Sequence, residues 1–237
     1  PKIYHGGEKA FFCIAYAGSR ESNPCDAYST VPTLDERAGN FSNGRISGGP
    51  KAGLPVAIFD PQTGQAFPDD TIPSSRVAPA AAGLLSFIPL PNLPGDTQNF
   101  HFVTSTTNSS NSVNLRLVRA FGRSTIGPRR GGPRNNLNVG FHYQTSDTDL
   151  ANPFPTIGGN TSVRGMDVPL SYVRSLHKLT NILRVDFNRN RIFTQNLYAF
   201  AQNIAGNLGI TGVSQNPFDW GLPGLAFTNF AGVRDTN

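Results

Sequence analysis

Few residues in this chain have the types and spacings that chemistry needs. The four histidines, His5, His101, His142 and His177, lie far apart, and none stands in an HxH or HxxxH pair that could share a metal ion. Cys13 and Cys25 lack the companion pair of a structural zinc site and are too few for a disulfide scaffold, which leaves a single bridge or two free thiols. Asp69 and Asp70 are adjacent carboxylates in a proline-bounded turn, a solvated arrangement and at most a weak calcium contributor. No GxSxG elbow, P-loop or GxGxxG turn occurs. The expectation is a non-enzyme without catalytic residues, metal or cofactor.

Two groups could still recognise something. Arg123, Arg129, Arg130 and Arg134 crowd a Gly/Pro-rich turn, in a chain whose 20 Lys and Arg against 15 Asp and Glu give a net charge of +5. Nucleic-acid modules interleave such cations with aromatics or set them on a recognised fold; here neither is present, so the cluster reads as a solvated turn and nucleic acid is not an expected partner. The segment 216–223 (NPFDWGLP) holds the single tryptophan. With the phenylalanines nearby, Phe218, Trp220, Phe227 and Phe230 offer faces for stacking against a sugar or a peptide, the plainer alternative being a loop packed on itself.

The elements that would position these residues are strands. Charged residues make up 15% of the chain against a usual value of about 25%, and 25 Gly with 19 Pro leave little helix-building material. The 17 Phe argue against a disordered chain. No run approaches the ~18 apolar residues of a spanning helix; the most apolar stretch, 77–90, is broken by Pro79 and Pro89. Strict alternation is the strongest periodic signal. It sets Leu137, Val139, Phe141 and Tyr143 against Asn138, His142 and Gln144, and Leu183, Val185 and Phe187 against Arg184, Asp186 and Asn188. It also sets Val113, Leu115, Leu117 and Phe121 against Asn114 and Arg116. Two less regular runs, with Pro169 near the start of the second, complete five expected strands near 9–18, 112–121, 137–145, 168–177 and 179–190.

The connections alternate between long (19–111, 146–167, the tail) and shorter (122–136, then almost none at Lys178). Long loops on one side and short turns on the other are the habit of a barrel crossing an outer membrane, whose lipid-facing side is apolar and whose lumen is polar. On that reading Asn114, Arg116, Asn138, His142, Arg184, Asp186 and Asn188 face the lumen, and Phe121, Tyr143 and Phe187 suit aromatic girdles at strand ends. Within the long loop, Ser74-Ser75 is expected to cap a short helix over 76–88, stopped by Pro89. Periodicity alone fits a soluble β-sandwich equally well.

Three stretches carry a resemblance: VPTLDERAGNFS (31–42), FDPQTGQAFPDDTIPSSRVAPAAAGLLSFIPLPN (59–92), and RVDFNRNR (184–191) followed by QNLYAF and QNPFDWGLPGLAFTNF. In this order they resemble TonB-dependent outer-membrane receptors of the Oar-like type, over nearly the whole chain. The resemblance implies an all-β fold: about five strands of a 22-stranded transmembrane antiparallel β-barrel with long extracellular loops, in an outer membrane. That barrel would hold an internal plug and follow a carboxypeptidase-regulatory-like β-sandwich, so residues 1–237 are expected to be the first part of the barrel, with plug, TonB box and signal peptide absent. Implied partners are the TonB complex through the missing plug region, outer-membrane lipid and lipopolysaccharide, and an unknown small solute, glycan or peptide. The alternative is a non-transporting surface adhesin or a secreted carbohydrate-binding sandwich. Cys13 within FFCIAY and the KIYHGGEKAFF approach to the first strand depart from the family pattern.

Overall fold

A computed structural model describes residues 10–46, 49–122, 135–152, 154–176 and 179–234. The basic turn with Arg123, Arg129, Arg130 and Arg134, as well as His5 and His177, lies outside the described residues. Five strands, β1 (Ala10–Ser29), β2 (Phe100–Phe121), β3 (Asn135–Leu150), β4 (Gly159–Leu176) and β5 (Leu179–Asn196), form one antiparallel sheet in chain order. β2 and β3 pair from Asn108 opposite Thr148 to Phe121 opposite Asn135. In this register Val113, Leu115 and Leu117 meet Tyr143, Phe141 and Val139, while Asn114 and Val118 meet His142 and Asn138. Directly opposed residues share a face, so the apolar sets of the two strands merge into one surface.

The strands run to 20, 22, 16, 18 and 18 residues, well beyond the expected spans. Much of the added length is polar on both faces, as in residues 104–112 (TSTTNSSNS) of β2, and alternation is visible only where one face is apolar. Three expectations change accordingly. The connection between β1 and β2 narrows to 30–99; Tyr143 and Phe187 lie inside their strands and only Phe121 closes one; and Pro169 falls in the middle of an interior strand. The ring of Pro169 is accommodated because Gly140 of β3 lies beside it, where a Cβ would stand 2.7 Å from the proline Cγ. A sandwich would cover the apolar face with a second sheet, and among the described residues there is only one sheet. Leu183, Val185 and Phe187 instead remain 58%, 53% and 51% exposed.

By contacts the chain divides into two compact units. The first, the sheet unit, holds Pro1–Glu21, Asn108–Thr148 and Thr161–Phe193; the second, the loop unit, holds Ser22–Thr107, Asp149–Asn160 and Thr194–Asn237. The loop unit therefore gathers the connections that follow β1, β3 and β5. Its core takes Val31, Ile88 and Phe100 from the first stretch, Phe154 and Ile157 from the second, and Ile204, Leu222 and Val233 from the third. A long connection without structure of its own is unusual, and this one is built.

Local chemistry explains how. Thr33 and Glu36 form a reciprocal capping box on the short helix α1 (Leu34–Arg37). Arg37 then donates to the carbonyls of Pro32, Leu85, Ile88 and Pro89 at 2.6 to 3.1 Å, tying α1 to the end of α2 (Pro79–Leu85). The Asn99 side chain, fully buried, accepts from Val31 N and donates to Val31 O, both at 2.8 Å, so an amide side chain replaces a strand partner. The helix expected over 76–88 is shorter and starts later: Ser74–Arg76 is a 3-10 turn, and Pro79 opens α2 without a side-chain cap. Proline preset for the first helical turn decides the start. The last helix, α3 (Ile204–Asn207), is capped by Asn203.

Candidate functional site

Within the sheet unit, the polar side borders an open cavity of about 980 Å³. Six of the seven residues expected on the lumen side, Asn114, Arg116, Asn138, His142, Arg184 and Asp186, line it. The seventh, Asn188, reaches Asp167 of β4 at 3.5 Å. Asn114 and His142 are cross-strand partners, with Oδ1 and Nδ1 2.6 Å apart. The residues bordering the cavity include two arginines and two aspartates, so opposite charges share a hydrogen-bonding wall.

Asp167 was not singled out from sequence, although its alternation with Val168 and Leu170 carried the signal. β1 contributes Phe11, Cys13 and Ala15, an apolar stripe among polar neighbours that the poor alternation of KAFFCIAYAG left hidden. Cys13 and Cys25 are both free thiols.

The loop unit has a second, smaller cavity of about 310 Å³. Phe227 and Phe230 line it, their rings edge to face at 6.5 Å, with Glu36, Arg45 and Asp96 also on the wall. The structure thus brings two of the four candidate aromatics to one cavity. Phe218 instead packs against Phe200 at 6.0 Å, and the Trp220 indole nitrogen is buried with no hydrogen-bond partner among the described residues. The charged neighbours, Glu36, Arg45 and Asp96, come from the connection after β1, far earlier in the chain, and no local motif could have announced them.

Burial lowers the Arg37 pKa from its ordinary value, yet a guanidinium with four carbonyl acceptors stays cationic at physiological pH. His101 lies in the same unit, 2.7 Å from Asp26 and stacked on Tyr28 at 4.3 Å. Asp70 accepts from Ile58 N at 3.0 Å, which gives this member of the carboxylate pair a structural task. Among the described residues no cluster of three or more His, Cys, Asp or Glu could hold a metal ion.

A sheet with one apolar and one charged side can be stable in a bilayer when lipid covers the first and water the second. Among the described residues no helix is long and apolar enough to cross a membrane, a statement that leaves strands untouched. Searches of curated proteins and of solved structures returned no match. A family model described as an outer membrane beta barrel domain matches residues 3–237. With nearly the whole chain matched and the sheet's two sides partitioned in this way, the chain belongs to the outer membrane beta barrel domain family and is an outer-membrane protein.

Proposed function

We propose that this chain forms part of a TonB-dependent transporter that binds a scarce solute and carries it across the outer membrane. The observation that supports the reading most is the charged and hydrogen-bonding wall of Asn114, Arg116, His142, Arg184 and Asp186 along one cavity, which suits a water-filled passage better than a protein that only displays loops. The order of the stretches at 31–42, 59–92 and 184–230, which resembles Oar-like receptors, adds the energy coupling. The folded loop unit offers Phe227 and Phe230 for capturing a glycan or peptide from outside. The remaining wall residues bind and pass the solute; none performs bond chemistry.

Whole-cell uptake tests this reading. Solute accumulation by cells producing the full receptor should cease when the proton gradient is collapsed or TonB is deleted, while surface binding persists. Accumulation that is indifferent to both, or attachment to surfaces with no uptake, would favour the adhesin.

A further inference from the structure

Towards the loop end, the outward side of the β4–β5 pair carries three arginines that the transport reading does not use, Arg174 standing on the same side towards the other end of β4. Arg184 and Asp186 line the polar side, so alternation along β5 places Arg189 and Arg191 on the other. The Arg191 guanidinium lies 5.7 Å from the centre of the Phe193 ring, two residues on and therefore on the same side. On β4, Asp167 borders the polar-side cavity, which puts Arg164 outward. Asn188 meets Asp167, and Gly159 abuts Gln195 and Asn196; these contacts bring Arg164 level with Arg191. The two arginines, with Ser162 and Phe193, line a cavity of about 170 Å³.

None of the three guanidiniums has an acceptor or a carboxylate among the described residues. Arg20, by contrast, donates to Ser19 O, Ser110 O and Asn111 Oδ1. Like charges on neighbouring strands repel, and an anion between them reverses the sign of the interaction. The arginines also stand towards the end of β5 that leads to the third stretch of the loop unit, beyond Leu183, Val185 and Phe187 of the apolar band. On a lipid-facing wall that is the level of the head groups.

We propose that Arg164, Arg189 and Arg191 bind the phosphate groups of an anionic lipid head group in the leaflet on the loop side. The inference rests on the apolar side facing lipid. Planar guanidinium forks match phosphate oxygens in pairs, Phe193 backs one of the forks, and the Ser162 hydroxyl adds a donor.

Titration of the detergent-solubilised outer-membrane protein with a diphosphorylated glycolipid, and with the same lipid dephosphorylated, tests the site, bound lipid being counted by native mass spectrometry. The variant R164Q/R189Q/R191Q should bind the diphosphorylated lipid on the order of a hundredfold more weakly than wild type, while the dephosphorylated lipid binds both proteins equally weakly. Equal affinity of wild type and triple variant for the diphosphorylated lipid overturns the proposal, because the arginines then only reach for water. Displacement of the lipid by millimolar inorganic phosphate overturns it as well, in favour of a small-anion site. Arg184→Gln, on the polar side, should leave lipid binding as in wild type whatever it does to solute passage; loss of lipid binding there and not in the triple variant would show that the two faces have been exchanged. Should the triple variant fail to fold, Arg191→Gln alone is expected to weaken binding about fivefold, and unchanged affinity refutes the site.

Discussion

Arg37 makes four hydrogen bonds to carbonyls from one side chain, and no other residue type presents donors in that fork. Lysine at this position would keep the charge but reach only part of the set, leaving half-buried carbonyls without partners. Arg37→Lys should therefore destabilise the loop unit by about 1–3 kcal/mol. Limited proteolysis of the receptor, reading cleavage in 30–99, checks this; a cleavage rate equal to wild type would mean that water replaces the guanidinium without loss. Asn99 is comparable, since its amide serves both backbone groups of Val31. Neither role was legible in the sequence. Arg37 and Asn99 are read as loop residues there, because their partners lie as many as 52 and 68 positions away. The capping box at Thr33 and Glu36 was not read from the sequence either, although its local spacing carried the signal.

Facing is decided at the level of the strand. With Val185 outward and Asn188 inward, Val185→Arg should cost the full-length barrel about 2–4 kcal/mol near the middle of the bilayer, whereas Asn188→Arg should cost little. Refolding into lipid vesicles under a urea gradient measures both, and equal penalties would contradict the assignment of sides. The alternation that supports this prediction was the most legible feature of the chain, since an apolar face beside a polar one writes itself into every second residue. The strand ends were not legible. Where Thr, Ser and Asn occupy both faces, as in 104–112, no period distinguishes a strand from a loop. Pro169 misled for a related reason: proline marks a strand's margin unless a neighbour makes room, and the neighbour, Gly140, lies on another strand.

At the scale of the whole molecule, the connections after β1, β3 and β5 fold into one unit, and the transport reading expects all three on the outer side of the membrane. Tags inserted near Gly44, Gly158 and Gly212 of the intact receptor should be reachable on whole cells, and a tag near Gly131 should not; labelling at Gly131 would invert the topology. β1 and β5 bound the five-stranded sheet, and an edge strand beside an exposed apolar face invites another chain. These 237 residues produced alone in water should accordingly associate, and a monodisperse, cooperatively melting monomer without detergent would contradict this. The loop-unit core also has a consequence in time. It needs Val31 from the connection after the first strand and Val233 from beyond the fifth, about two hundred residues apart, and joining such distant segments is slow. The loop-unit core can therefore form only after all five strands have been synthesised, so a stalled or misregistered wall would leave that core unfinished and open to proteases.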